Sequence, residues 1–349
     1  MFYYKPNNIF ICCFFFFFFQ MNSTEPYSNS NAISNDSSRF CPINPQHISI
    51  SVLICLTFLV GFLLNVFSLW VFTCRTPEWT SNTVLQFHLA VSDVLLCPMG
   101  PFMAVYYHTV NWSFGKAFCR LKIALISFHI YTSILFLTLI SIHRYVVVVR
   151  YNQVSHMNRK DFVQKLCAGV WLFVLIKGTV LAAVLDTSNV DNRTLCLSIH
   201  QGQYTDFYFI VNFTILIPGL LLSFLVSAIC YTLLVRSMSH LDTSHDSGQA
   251  IKSKSCKMVA VCLVIFVVCF TPMNVARSVG LVVKKFLPNE CSLLLKVETA
   301  YYVSWILAGA NCCLDPIIYC FSCQKFTKTL RISLRKIGLR LEMSHGESS

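Results

Sequence analysis

The feature that most constrains this chain is a series of seven apolar segments, each long enough to cross a lipid bilayer. A hydrocarbon core about 30 Å thick requires about 20 apolar residues for each helical crossing. The segments cover approximately residues 48–73, 83–107, 119–145, 164–185, 207–235, 256–283 and 297–321. In lipid, backbone polar groups must be satisfied within each segment, which favours helices. The sequence therefore predicts an all-α membrane protein, with a seven-transmembrane helix bundle over residues 48–321.

Composition and charge placement agree with this prediction. Of the 349 residues, 55% are hydrophobic and only 12% are charged, against about 25% charged in an average soluble domain. The net charge of +12 could suggest a nucleic-acid polymer as partner, but sixteen of the 27 Lys and Arg lie in the loops after crossings one, three and five and in the C-terminal tail. The positive-inside rule makes that face cytoplasmic. We therefore expect a lipid bilayer and no nucleic-acid polymer.

Glycosylation sequons support the same orientation. Asn22 and Asn35 lie before the first crossing, and Asn192 lies between the fourth and the fifth, each in an Asn-x-Ser/Thr tripeptide. Such tripeptides mark exposed segments of secreted or cell-surface chains. The sequence predicts a multi-pass plasma-membrane protein with residues 1–47 as an extracellular N-terminus.

Residues 1–20 contain an apolar run with six consecutive phenylalanines, followed by Met21. At about eleven residues the run is too short to span a bilayer. Two interpretations stay open at this point. The run is either the core of a signal peptide or translated upstream sequence, in which case Met21 is the ordinary start.

Four of the 18 cysteines lie on the predicted outer side. Cys119 begins the third crossing and Cys196 lies in the loop before the fifth, where an oxidising compartment favours a disulfide. Cys41 and Cys291 form the remaining outer pair, and we expect a second bridge that ties the N-terminus to the last outer loop.

Polar residues inside the crossings are functional candidates by default. Asp93 lies in the middle of the second crossing, and Asn65 in the first crossing requires a buried partner, for which Asp93 is the expected residue. Arg144 ends the third apolar segment. It is either an arginine whose guanidinium reaches the headgroups or a functional contact.

The C-terminal region, residues 322–349, begins with a basic amphipathic stretch. Phe326, Leu330 and Leu334 share one side of a helix, with Lys and Arg on the other. This pattern predicts a short amphipathic eighth helix that lies on an anionic inner leaflet, followed by a cytoplasmic tail.

In their order and spacing, the motifs of residues 41–341 resemble the rhodopsin class (class A) of G-protein-coupled receptors. The resemblance rests on Asn65, Leu89 with Asp93, Trp112 to Gly115, Cys119 with Cys196, Arg144-Tyr145, Trp171, Phe266 with Cys269 and Pro272, and Asp315-Pro316 with Tyr319. Within the class, the chain is similar to the purinergic nucleotide receptors and their relatives for small carboxylates and lipids. His143, the segment 269–272, Arg277, Asp315 and the Cys41/Cys291 pair carry this finer likeness.

The resemblance implies a cell-surface receptor, not an enzyme. Its partners would be an extracellular small molecule, a heterotrimeric G protein, and an arrestin and receptor kinase. A ligand would shift the bundle toward an arrangement that a G protein also favours. The residues that this resemblance assigns to activation and coupling are His143, Arg144, Tyr145, Phe266, Phe270, Pro272 and Tyr319. The aromatic members are also interpretable as ordinary core.

The ligand-binding residues implied by the resemblance lie in the outer halves of the crossings. They are Lys122, Lys177, Asn274, Arg277, Tyr301, Tyr302 and Trp305. Three departures weaken a nucleotide ligand: Asn274 replaces a histidine, Ile123 replaces an arginine, and the arginine of the outer seventh crossing is absent. A triphosphate needs several charge-assisted contacts. A nucleotide, a small carboxylate such as a dicarboxylate, an anionic lysolipid, and a neutral or peptide ligand all remain candidates.

By resemblance, a polar cluster in the middle of the bundle would hold a sodium ion in the inactive state, with Asp93 as metal ligand. The cluster consists of Asn65, Asp93, Ser133, Asn311 and Asp315. A hydrated network with one protonated acid is the alternative, and no other cofactor is expected.

Two departures concern signalling. The acid that usually precedes Arg144 is His143, which predicts raised basal signalling or a substitute restraint. Pro218 precedes Tyr231 by thirteen positions instead of eight, so either Pro218 is not the equivalent residue or the helix is locally rearranged. A decoy receptor that binds without signalling is therefore an alternative. A transporter is a weaker one, because matching repeats with broken helices are not evident.

Overall fold

Seven long helices form the described part of the chain. The computed structural model describes residues 41–43, 45–149, 157, 159–198, 200–239, 246–322, 326–333 and 335. The crossings are α1 (Ile48–Arg75), α2 (Ser81–Thr109), α3 (Lys116–Val149), α4 (Lys160–Val184), α5 (Gly202–Ser237), α6 (Ile251–Phe286) and α7 (Cys291–Phe321). Each is long and apolar enough to span a bilayer. The predicted seven-transmembrane bundle is confirmed.

Several crossings are interrupted near prolines. In α2, the helix Ser81–Leu96 passes through a 3₁₀ turn, Cys97–Met99, into Gly100–Thr109. Proline lacks the N–H that continues an α-helix, and wider or tighter turns absorb the break. The π-helical turn Asn212–Leu216 precedes Pro218 in α5, and Phe266–Phe270 precedes Pro272 in α6.

The remaining segments of these crossings are regular. The end of α1 is the helix Ile48–Trp70 followed by a π turn, Val71–Arg75. α5 is assembled from Gly202–Tyr204, Thr205–Val211 and, after its π turn, Ile217–Ser239. α6 consists of Asp246–Ile265 and Thr271–Phe286 on either side of its π turn, and α7 continues to Ser322.

α3 lies at the centre of the bundle and contacts α2, α4, α5 and α6, whereas α1 packs on α2 and α7. The α1–α7 contact depends on Gly61, because a Cβ there would lie 2.7 Å from Cys312 Cβ. On the outside of the bundle, Leu63, Leu172 and Leu222 are about 60% exposed. Such an apolar exterior suits lipid contact.

One end of the bundle carries both disulfides, Cys119–Cys196 and Cys41–Cys291, and both predicted bridges are confirmed. We call it the disulfide end. A two-stranded antiparallel hairpin, β1 (Ser188–Val190) and β2 (Arg193–Leu195), lies here and pairs Asn189 with Thr194. Its turn residues, Asp191 and Asn192, have φ of 49° and 58°, the conformation that two-residue hairpin turns favour.

A short helix follows α7 over residues 326–333, as the amphipathic pattern predicts. Phe326 is its anchor, with 1% of its surface exposed, and its ring stacks on Phe72 at 5.9 Å and meets Tyr319 edge-on at 5.8 Å. The remainder of the amphipathic stretch with Leu334, the tail, and residues 1–40 with Asn22 and Asn35 lie outside the described residues.

Candidate functional site

A cavity of about 1040 Å³, counted to its open mouth, lies inside the disulfide end. α3 to α7 and the loop after Cys196 enclose it, and most of its lining is aliphatic or aromatic. Its polar lining is small. The residues that supply it are Ser127, Tyr131, Ser198, Tyr208, Asn212, Arg277, Glu298, Tyr301, Tyr302 and Trp305.

Arg277 lines the cavity from α6 and is held by two asparagines. Its Nε donates to Asn212 Oδ1 at 2.9 Å, and a terminal nitrogen donates to Asn274 Oδ1. Asn274 Nδ2 donates in turn to the Phe270 carbonyl at 2.7 Å, and Asn212 Nδ2 donates to Ser278 Oγ at 2.8 Å. Within the described part of the chain, Arg277 has no carboxylate within 4.0 Å. Its position is fixed by neutral groups, and its positive charge is left for another anion.

Glu298 lies on the opposite wall, on α7, and is engaged by two donors. Its Oε2 is 3.0 Å from His200 Nε2, and its Oε1 accepts a hydrogen bond from the Tyr302 hydroxyl at 2.9 Å. Both Glu298 and His200 have only 3% of their surface exposed. This contact joins the loop after Cys196 to α7. Neither residue was predicted, although the spacing of four between Glu298 and Tyr302 indicates a shared helix face.

The three aromatic residues predicted on α7 all line the cavity. Tyr301 and Trp305 form an edge-to-face pair with ring centroids 6.2 Å apart. Tyr302 packs against Tyr107 of α2 at 4.5 Å. Together these rings form an aromatic wall that can pack against an apolar ligand.

Lys122 does not reach the cavity, contrary to the prediction that it contacts ligand. Its ammonium lies 4.4 Å from the Tyr106 ring centroid and 4.8 Å from that of Trp112, and it donates to the Cys196 carbonyl at 3.2 Å. The side chain is 1% exposed. Cation–π contacts and one hydrogen bond therefore occupy this charge beneath the disulfide loop.

Lys177 also lies outside the cavity lining. Its ammonium is buried against the ring of Tyr131, and it has no hydrogen-bond partner in the described portion. Tyr131 itself lines the cavity. The prediction that Lys177 binds ligand directly is therefore not supported by its position, because an aromatic ring separates it from the cavity.

The mouth is braced by polar contacts between the crossings. Arg120 of α3 forms an ion pair with Asp186 at 2.9 Å, and Gln201 Nε2 donates to the Asp186 carbonyl at 2.9 Å. The pKa of the Asp186 carboxyl lies below its usual value because it accepts a hydrogen bond from the Thr187 amide and interacts with Arg120. The loop that carries Cys196 is thus tied to α3 and α4.

A second polar group lies deeper, where α1, α2, α3 and α7 meet. Asn65 does not pair with Asp93 as predicted. It donates to the carbonyls of Gly61 and Cys312 at 2.9 and 2.7 Å, because the close α1–α7 contact places an unsatisfied carbonyl beside it. Asp93, Ser133, Asn311 and Asp315 are each fully buried. Their side-chain oxygens have no hydrogen-bond partner in the described residues.

His129 and Cys312 complete this group, and neither was predicted. His129 Nδ1 is 3.3 Å from Asp93 Oδ1, and His129 Nε2 is 3.7 Å from Cys312 Sγ. The orphaned oxygens alone would suit a hard cation such as sodium, which takes oxygen ligands. Nitrogen and sulfur donors beside Asp93 do not suit sodium. The predicted sodium site is therefore a poor match for the side of Asp93 that faces α3 and α7.

The end opposite the disulfides is packed mainly by α3, α5 and α6. His143 is buried, and its Nδ1 has no hydrogen-bond partner in the described region. Arg144 lies near the thiol of Cys262 on α6. Tyr145 packs into an apolar cluster with Tyr231, Leu234, Cys256 and Val259.

The predicted activation residues of α6 and α7 are core residues here. Phe266 and Phe270 are fully buried within the π turn, with centroids 6.2 Å apart, and Pro272 follows. Tyr319 packs edge-on against Phe72 at 5.3 Å. A wider turn beside a proline is a local weak point at which a helix can bend.

Residues 64–319 match the model of the 7 transmembrane receptor (rhodopsin family). The chain belongs to the rhodopsin family of seven-transmembrane receptors. It is 33% identical over 278 residues to purinoceptor 4 of Mus musculus, covering 78% of this chain and 76% of that protein. It is 31% identical to cysteinyl leukotriene receptor 2 of Sus scrofa over 80% of this chain and 79% of the relative. It is 28% identical to lysophosphatidic acid receptor 6 of Gallus gallus over 76% and 87%.

As a rhodopsin-family receptor, the protein is not an enzyme, and it is a multi-pass protein of the plasma membrane. The family implies a G protein and an extracellular ligand as partners. The cavity at the disulfide end and the packed core of α3, α6 and α7 are the two regions on which such a receptor depends.

Sequence reasoning missed several residues of this receptor, and the clearest available signal concerned His129. It is an ionisable residue inside a crossing, four residues before Ser133, and such residues are functional candidates. Asn212 lies 65 positions from Arg277, and only the folded bundle brings them together. Glu298 and His200 both flank predicted loops, where a charged residue is expected to be solvated.

Proposed function

We propose that this receptor binds an amphiphilic ligand with one anionic head group and an apolar tail, and activates a heterotrimeric G protein in response. The observation that carries the proposal is Arg277, a cation without a carboxylate partner among the described residues, in an otherwise apolar cavity. A carboxylate or phosphate would form charge-assisted hydrogen bonds with its guanidinium.

A nucleoside triphosphate is the less favoured ligand. It carries three to four negative charges and needs several cationic contacts. Lys122 and Lys177 lie outside the cavity lining, and Arg277 is the single Lys or Arg in that lining among the described residues. Glu298, on the opposite wall, would repel additional phosphates.

The apolar lining supports a lipid tail. Ile123, Ile126 and Ile130 of α3 and Leu181 and Leu185 of α4 line the cavity together. Burying hydrocarbon contributes about 0.8 kcal/mol per CH₂ group, so a chain in this space would supply much of the affinity. Two relatives bear names of lipid receptors, lysophosphatidic acid receptor 6 and cysteinyl leukotriene receptor 2.

The proposed orientation places the disulfide end outside the cell. Disulfides form in oxidising compartments, and the exposed hairpin turn presents the sequon residue Asn192 at that end. Residues 1–47 would then be extracellular, and residues 322–349 would be cytoplasmic. Arg144 and Tyr319 would lie at the G-protein end, where an arrestin and a receptor kinase would also bind.

A ligand panel tests the proposal. Cells expressing the full chain would receive lysophosphatidic acid, a leukotriene, a dicarboxylate and UTP, with G-protein dissociation as readout. We expect a response to an amphiphile with one anionic group. In the Arg277→Gln variant, the EC50 for that ligand should rise about 10- to 100-fold, as expected for the loss of a charged hydrogen bond worth about 1.5–3 kcal/mol.

Two outcomes would contradict the proposal. Activation by UTP at concentrations where the amphiphiles are inactive would favour a nucleotide receptor. Saturable binding of the amphiphile without dissociation of any G protein would favour the decoy alternative. Cell-surface labelling of each variant would exclude loss of expression as the cause.

A further inference from the structure

The cluster at the junction of α2, α3 and α7 contains the donor atoms of a transition-metal site. Asp93, His129 and Cys312 each offer one ligand atom, and these atoms all lie within 4.8 Å of one another. None of the three residues is more than 2% exposed. The helices fix these donors in place, since each lies inside a crossing.

The separations fit zinc. Zinc bonds of about 2.0–2.3 Å to carboxylate, imidazole and thiolate in a tetrahedron separate neighbouring ligand atoms by about 3.3–3.8 Å. The two contacts of His129, 3.3 Å to Asp93 and 3.7 Å to Cys312, lie in that range. Carboxylate, imidazole and thiolate together form a borderline-soft set that suits zinc better than an alkali ion.

A fourth donor is close. The thiol of Cys97 on α2 interacts with the thiol of Cys312. Both lie at the α1–α7 contact, where a Cβ on Gly61 would be 2.7 Å from Cys312 Cβ and 3.6 Å from Cys97 Sγ. Structural zinc sites are typically four-coordinate, and Cys97 supplies the missing position.

The cluster also has a charge that needs a partner. Both carboxylate oxygens of Asp93 are buried and have no hydrogen-bond donor in the described residues. A buried charge is costly unless it is paired or coordinates a metal. The carboxyl of Asp315 lies close to that of Asp93, which adds to the negative potential there.

We propose that Asp93, His129 and Cys312, with Cys97 as fourth donor, bind a zinc ion that joins α2, α3 and α7. Zinc binding is independent of the ligand proposed for the outer cavity. The bound ion fastens α7 to α2 and α3 at mid-bilayer depth and resists any movement between them.

The test uses the purified full chain in lipid nanodiscs, stripped with a chelator and reloaded with Zn²⁺. Bound zinc is counted after gel filtration, and the melting temperature is followed by tryptophan fluorescence. We expect one tightly held zinc per chain and a higher melting temperature with zinc, but no stabilisation when sodium replaces choline. Co²⁺ in place of zinc should give thiolate-to-metal charge-transfer absorption.

Matched variants locate the ion. His129→Asn and Cys312→Ser should each weaken zinc binding by more than about 100-fold, the upper range for loss of a residue that only supports a metal ligand. Cys230→Ser removes another buried free thiol, on α5, and should bind zinc like the unmodified chain. If Cys312→Ser does not fold, the cobalt spectrum of the unmodified chain and zinc binding by His129→Asn and His129→Gln decide the question.

Three results would overturn the proposal. The first is zinc binding that is equal in the unmodified chain and in His129→Asn. The second is a cobalt complex without thiolate charge transfer. The third is stabilisation of the unmodified chain by sodium but not by zinc, which would make the cluster a site for a hard cation.

Discussion

Arg277 of α6 donates a hydrogen bond from Nε to Asn212 Oδ1 of α5 across 2.9 Å, and this contact orients the only Lys or Arg in the described cavity lining. Asn212 begins the π turn of α5 and is fully buried. The wider turn and the polar contact therefore occur at the same place.

Asn212→Ala should raise the EC50 of the activating anionic ligand about 10-fold. The variant removes one hydrogen bond that orients the guanidinium, worth about 1.5 kcal/mol or more at a charged group. The measurement is a concentration–response curve for G-protein dissociation. Thr214→Ala is the matched control in the same turn, because its hydroxyl donates only to the Ile210 carbonyl. Equal effects of the two variants would contradict the assigned role.

Lys122→Met should change the EC50 less than about 3-fold, while Arg277→Met raises it at least 10-fold. The ammonium of Lys122 is already occupied by aromatic rings and the Cys196 carbonyl, so a ligand gains little from it. Both variants remove one cation and retain an unbranched side chain. A loss of potency in Lys122→Met as large as in Arg277→Met, at equal surface expression, would restore Lys122 as a ligand contact.

Glu298→Gln should lower the EC50 for the same anionic ligand several-fold. The carboxylate shares the cavity lining with Arg277, and removal of its negative charge reduces repulsion of an anion. Tyr302→Phe removes one hydrogen bond to Glu298 but keeps the charge, so potency should not improve. The ratio of the two EC50 values is the measurement, and improvement in both variants would show that charge is not the cause.

His143→Asp should reduce agonist-free G-protein activation several-fold. An aspartate beside Arg144 can form an ion pair with the guanidinium and hold it in place, which a neutral imidazole does not. His143→Asn is the control of similar size without charge, and it should behave like the unmodified receptor. Negligible basal activity in all three proteins would show that another contact restrains Arg144.

The crossings could be predicted from hydropathy because bilayer thickness sets their length. The predicted third segment, residues 119–145, lies within α3, Lys116–Val149. The helix continues past Arg144 because the apolar residues that follow still pack against α5 and α6. A hydropathy boundary marks the edge of the membrane core, whereas a helix ends where its contacts end.

Side-chain partners were less predictable because they depend on which helix faces which. The positions of Lys122 and Arg277 look equivalent in the sequence, since both are cations near the outer end of a crossing. Tyr106 and Trp112, contributed by α2 and the loop after it, occupy the first. Asn212, contributed by α5, orients the second. Each distinction arises from neighbours that are distant in the chain, and hydropathy does not report them.

The π turn Asn212–Leu216 explains the unusual spacing of Pro218 and Tyr231 only in part, but its effect on α5 is definite. One additional residue in a turn rotates everything beyond it by about 100° relative to a continuous α-helix. Thr205–Val211 therefore presents a different set of side chains, Tyr208 among them, to the cavity. A single inserted codon at this position can change what such a receptor recognises while its G-protein half stays in register.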